Sequence, residues 1–174
     1  MRSREAARLS ALFLTFLAPA CGYHLTGHST VLPPGIKTIG IPIFVNKTDR
    51  PDLEQRLTGR IISEFITRGR YHITSSEDGV DAVLKGEILA YVQTPVALNP
   101  QGRASRYEIL INARATLVQT SDDKILWQDD HFVFRRQYDV SSVSSGIVSQ
   151  EQVAVDLVAD DFAQAVVASI LEGF

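Results

Sequence analysis

The chain has 174 residues, with 17 basic and 20 acidic side chains and a formal net charge of −3. That length accommodates one domain with a sizeable core, and the acidic balance disfavours nucleic acid as a partner. The single cysteine, Cys21, excludes an intrachain disulfide.

Arg2, Arg4 and Arg8 precede a short apolar run, Leu9 to Ala18, which meets Pro19-Ala20-Cys21-Gly22. A basic stretch, an apolar stretch and small residues before a cut site are the order of a secretory signal. The run is far shorter than the roughly 20 residues of a membrane-spanning helix. The segment resembles a lipobox, with Ala18 where leucine is usual and Pro19 a less common choice. Residues 1–20 are therefore expected to be removed and Cys21 to be acylated. Each buried CH₂ of its acyl chains adds about 0.8 kcal/mol, which makes a stable anchor. Gly22, rather than aspartate, follows the cysteine, so sorting to the outer membrane is expected in a two-membrane bacterium. Cleavage removes three Arg and one Glu and takes the net charge to −5. The remaining cations, ten Arg to four Lys, suit bidentate contacts to phosphate or carboxylate.

Residues 21–36 read as a lipid-anchored tether, with Gly27 and Pro33-Pro34 opposing regular structure, and 37–174 as one domain. Ile39, Ile41, Ile43 and Val45 alternate as a strand. Pro42 within it lacks an N–H, which predicts an edge or a strand with one side free. A turn follows, with Asp49 or Arg50 near the cap and Pro51 in the first turn of a helix. Leu53, Leu57, Ile61 and Phe65 form its apolar stripe, widened by Ile62 and Ile66. Arg56 and Arg60 read as solvated.

Tyr71 to Thr74 suggests a short strand. Asp81 to Gln93 alternates, with Ala82, Leu84, Gly86, Ile88, Ala90 and Val92 on one face and Lys85, Glu87, Leu89, Tyr91 and Gln93 on the other. Val96 to Gly102 reads as a loop. Tyr107 to Gln119 alternates with Ile109, Ile111, Ala113, Ala115 and Leu117 inward, and Ile125 to Tyr138 completes an antiparallel meander. Trp127 and the pair Phe132 and Phe134 fall on opposite parities, which predicts a bulge near Asp129-Asp130. A Ser-rich loop from Asp139 to Gly146 leads to a helix over Gln150–Leu171, with Val153, Leu157, Val158, Phe162, Ala165, Val166 and Ile170 as its buried stripe. The fold class expected is α/β (α+β): a two-layer sandwich with two helices on one face of a mainly antiparallel sheet of about four strands.

Chemistry is sparse. The sequence has no G-x-S-x-G, no phosphate-binding glycine loop and no H-E-x-x-H. His24 and His28 lie in the tether without a third ligand, so neither a metal site nor a cofactor is expected. His72 and His131 are isolated. Asp122-Asp123 and Asp129-Asp130 are adjacent pairs, and strand neighbours point to opposite faces, so neither converges on one substrate. An enzyme is not expected. Two basic groups remain: Arg103 and Arg106 beside one loop, and Arg135 and Arg136 near the end of the last strand. Both loops leave the meander at the same end, where such a cluster could meet the phosphates of an anionic glycolipid.

Cys21-Gly-Tyr-His-Leu25, Leu32-Pro33, Ile39 to Asn46, Asp81 to Gly86, Gly102 to Tyr107, Leu126-Trp127 and Tyr138 together resemble the lipopolysaccharide-assembly lipoprotein (LptE) family across the mature chain. The resemblance implies an α/β protein that plugs a large outer-membrane β-barrel (LptD-like), supports its assembly and contacts lipopolysaccharide. The family's lipid-contacting basic positions are not matched residue for residue: Pro100 and the region of Ile147 stand there, with Arg103 and Arg106 nearby. The other reading is a lipid-anchored periplasmic activator or secretion-accessory protein, since the Ile41-Pro-Ile-Phe-Val-Asn46 strand and following helix occur in such families too. The long meander argues against it. Cys21→Ser is expected to abolish metabolic labelling with an alkyne fatty acid; equal incorporation in both proteins would contradict the anchor.

Overall fold

The computed structural model describes residues 32–140 and 150–172, so the signal, Cys21 and most of the tether and Ser-rich loop lie outside the described residues. The elements are β1 (Thr38–Gly40), β2 (Val45–Asn46), α1 (Leu53–Arg68), β3 (His72–Thr74), β4 (Ala82–Leu98), β5 (Ala104–Gln119), β6 (Ile125–Asp139) and α2 (Gln150–Glu172). The sheet has six strands, more than the four expected, in the order β3-β1-β4-β5-β6, with β2 also paired to β4. The long β4–β5–β6 meander is antiparallel, while β1 and β2 run parallel to β4, and β3 parallel to β1.

One of the two extra strands is the short β3; the other comes from Pro42. It falls in a break between β1 and β2, not inside one strand. β1 is thus interior, flanked by β3 and β4, and of these two strands only β2 has a free side among the described residues. The break also shifts the alternation. Ile39 and Ile41 are fully buried, but Phe44 then turns inward while Ile43 is 62% exposed. Gly86 accommodates this: a Cβ there would collide with the Phe44 ring. Asp81 fastens β1 to β4. Its carboxylate accepts bonds from the Lys37 and Thr38 amides and the Thr38 hydroxyl, at 2.8–2.9 Å. Those donors hold the Asp81 carboxyl below its ordinary range.

α1 starts later than the sequence suggests. Asp52, not Asp49 or Arg50, stands at the cap, with a left-handed φ of 62° and no side-chain capping bond. Asn46 holds the turn instead, donating to the Arg50 carbonyl (2.7 Å) and Glu54 (2.8 Å). Leu53, Leu57, Ile61 and Phe65 are buried as expected, whereas Ile66 is exposed. Arg56 and Arg60 are more than solvated: they pair with Asp156 and Asp160 of α2, and Arg68 pairs with Glu172. The numbering rises together along this ladder, so the helices lie parallel. Each half-exposed pair contributes little energy, but the set fixes their register.

The buried stripe of α2 is a double i, i+4 row: Ala154, Val158, Phe162, Val166 and Ile170 beside Val155, Ala159, Ala163, Val167 and Leu171. Leu157, expected inside, is 52% exposed. Apolar residues spread beyond one stripe of this helix, and its alanines select the face that can approach closely. Phe162 is fully buried and meets Phe132 and Phe134 edge-on, with centroids 5.5 and 6.0 Å away. Phe162→Ala is expected to cost about 3–5 kcal/mol and Leu157→Ala less than about 0.5 kcal/mol, read from denaturant midpoints.

Candidate functional site

Two helices cover one face of the sheet, and its other face has no covering element among the described residues. Register identifies that face. In β5 the inward residues are Ile109, Ile111, Ala113, Ala115 and Leu117, so Arg106, Glu108, Leu110, Asn112, Arg114 and Thr116 point outward. Their partners complete rows across the face: Thr94–Glu108–Gln137, Val92–Leu110–Arg135 and Ala90–Asn112–Val133.

A bulge in β4 decides which β4 residues join these rows. Ile88 pairs with Ala113 but Ala90 with Asn112, leaving Leu89 extra. Beyond it the expected faces are exchanged. Tyr91 and Gln93 turn toward the helices, while Ala90 and Val92 join the open face. Tyr91 packs against the core, and Val92 is 48% exposed. Both faces here carry apolar residues, so alternation alone does not betray the switch. The loop expected over Val96 to Gly102 is shorter, Asn99 to Arg103, since β4 continues to Leu98. Pro95 is tolerated because β1 and β2 pair with β4 only as far as Ile88.

The open face thus has an apolar centre of Ala90, Val92, Leu110 and Val133. Its charges are largely compensated within the face: Arg114 donates to Glu87 (2.6 Å), Arg106 to Asp139 (2.7 Å), and Gln137 to Glu108 (3.1 Å). Asn112 sits in the apolar centre, and its side-chain oxygen is buried without a hydrogen-bond partner among the described residues. Such an acceptor costs about 1–3 kcal/mol. Near the Glu87–Arg114 pair lies a hollow of about 260 Å³.

The four sequence-predicted arginines share one end of the meander but not one cluster. Arg106 is opposite Asp139, so the β4–β5 loop and the end of β6 are adjacent. Arg135 is on the open face four residues along, about 13 Å at ~3.3 Å per residue. Arg136 is on the helix face, paired with Asp161 at 3.2 Å. The Asp139 carboxylate raises the Arg106 pKa. Arg103 lies in the turn, where its amide donates to the Asn99 side chain (2.9 Å). Neither Arg103 nor Arg135 has an ion pair among the described residues. Val92 and Val133, which sequence reasoning did not single out as site residues, form the core of the surface. The β4 bulge, and a second in β6 where Asp130 and His131 together face Arg114 between the Ala115–Asp129 and Ala113–Phe132 pairs, were the signal that could have found them.

No group of three metal-ligating side chains occurs among the described residues, nor any helix long and apolar enough to cross a membrane. Substitution on the open face should leave folding intact: Val92→Asp is expected to cost about 1 kcal/mol, the span of strand propensity, and not the several kcal/mol of a core change. A large drop in its denaturant midpoint would mean that the face belongs to the core.

The model of the LptE family, described as lipopolysaccharide-assembly, matches residues 36–170. No curated protein matches the chain. Among solved structures, protein CT253 from Chlamydia trachomatis aligns with a TM-score of 0.54 at 11% identity, covering 80% of this chain and 97% of that one. Protein XCC0632 from Xanthomonas campestris aligns at 0.53 and 12% identity, covering 79% and 85%. A PelC dodecamer from Paraburkholderia phytofirmans aligns at 0.52 and 17% identity, covering 81% and 91%. At these identities the likeness establishes a shared fold.

Proposed function

We infer the function from one premise, that this chain belongs to the LptE family of lipopolysaccharide-assembly proteins. It is a lipid-anchored outer-membrane subunit of the lipopolysaccharide translocon, docked inside the β-barrel that inserts the glycolipid. It acts by binding, not catalysis. Acylated Cys21 holds it to the periplasmic leaflet, and the open sheet face packs against the barrel partner.

The observation that carries this reading is the uncovered face itself. It combines an exposed apolar centre with charges already compensated by neighbours and one buried acceptor without a donor among the described residues. Contiguous apolar surface rimmed by polar groups marks a protein contact, and self-compensated charges favour a partner wall that is not strongly charged. Lipopolysaccharide phosphates are met at the loop end, by Arg103 and Arg135 first, with Arg106 and Arg136 sharing their existing carboxylates. A charge-assisted bond from each arginine is worth about 1.5–3 kcal/mol when well placed.

An enclosed subunit should resist protease in intact outer membranes and become sensitive once purified alone. Its depletion should lower the amount of correctly assembled barrel. Rapid cleavage in membranes together with unchanged barrel levels would contradict the reading and fit a free-standing activator.

A further inference from the structure

β6 is the last strand of the sheet. It pairs with β5 on one side and, among the described residues, with nothing on the other. An open edge presents unpaired N–H and C=O groups that template another strand, and natural edges are often shielded by charges and bulges. β6 has both. The order of its charges, however, is that of a strand that matches itself: Asp129-Asp130-His131-Phe132-Val133-Phe134-Arg135-Arg136. Acids stand at one end, bases at the other and apolar residues between.

We propose that β6 pairs edge to edge with β6 of a second copy of this chain, antiparallel, about a two-fold axis at Val133. Antiparallel reversal sets Asp129 against Arg136 of the other copy, Asp130 against Arg135, Phe132 against Phe134, and Val133 against its own equivalent. An uninterrupted strand could not do this. The charged ends require an odd sum of residue numbers and the centre an even one, so the ends would fall on the wrong faces. One extra residue between Asp130 and Phe132 corrects it, and the bulge supplies that residue at this place. The His131 amide is turned back onto the Asp129 carboxylate at 2.8 Å, as befits the extra position.

Every pair then shares a face. Asp129, Phe132, Phe134 and Arg136 lie toward the helices, and Asp130, Val133 and Arg135 lie on the open side. The side chains are accessible: Val133 is 46% exposed and the Arg136 side chain 57%. Arg136 uses its Nε on Asp161, which leaves the two terminal nitrogens of its fork for a second carboxylate. A closed two-fold contact of this kind stops at two copies, so the edge is consumed without growing a fibre. The contact is small, so the dimer exchanges with monomer. The inference does not rest on the translocon reading, and either can fail alone.

Charge reversal separates pairing from mere shielding. The full mature chain in mild detergent is compared by sedimentation with Asp130→Arg, Arg135→Asp, their equimolar mixture, and both substitutions in one chain, with circular dichroism confirming the fold of each. Each single variant sets like charges together twice and should weaken the dimer about tenfold or more. The mixture and the combined variant restore opposite charges and should recover it. Val133→Cys should cross-link to itself under mild oxidation, whereas Gln137→Cys should not, with the parent chain as the baseline for Cys21. A parent that stays monomeric with no Val133→Cys cross-link overturns the proposal. So does stronger association in the single variants, the mark of a shielding edge. A dimer indifferent to charge reversal, or one that Gln137→Cys cross-links equally well, overturns the register.

Discussion

Two bulges meet at Ala113, and most of the molecule follows from them. Ala113 pairs with Ile88 on one side and Phe132 on the other. β4 carries its extra residue just past that row, and β6 carries its own just before it. A bulge turns one strand over relative to its neighbour and adds twist. Here each insertion redirects large side chains. The β4 bulge sends Tyr91 inward, and the β6 bulge brings Phe132 and Phe134 to the same face as Trp127. Without the second, α2 would have no aromatic floor beneath Phe162.

That floor makes the sandwich one-sided. α1 returns the chain from β2 to β3, and the short parallel strands keep it on the face to which such crossovers turn. α2 then has two reasons to join it: the Phe162 contacts below and the Arg56, Arg60 and Arg68 ion pairs beside it. With both helices committed, nothing described covers Val92, Leu110 and Val133. The open face is thus a consequence of how the core is satisfied, and the same β6 bulge that packs the core also sets the charges along the outer edge.

What the sequence revealed depended on whether a wrong assignment would expose something large. In β6, a regular strand would have put Trp127 and Phe132 on opposite faces, so the parity conflict declared the bulge. In β4, Leu89 and Tyr91 compete with Ala90 and Val92, and both arrangements look plausible until the register is known. Pro42 suggests an edge, although a proline can equally interrupt a strand, and the inward turn of Phe44 depends on Gly86 far away in sequence. In α2 the apolar residues spread well beyond one stripe, so periodicity puts Leu157 inside although the alanine rows choose the face. The four arginines share one end of the meander. Their separation onto two faces, and the carboxylates that two of them face, needed strand register and the position of α2.

The open sheet face is the proposed docking face. A photo-crosslinking amino acid at Val92 or Leu110, with Ile66 on the exposed side of α1 for comparison, tests it directly in intact outer membranes. Ultraviolet-dependent adducts are expected between the open-face positions and an outer-membrane β-barrel of the lipopolysaccharide-assembly machinery, and fewer from Ile66. Adducts from Ile66 alone, or open-face adducts only to soluble periplasmic proteins, would contradict it.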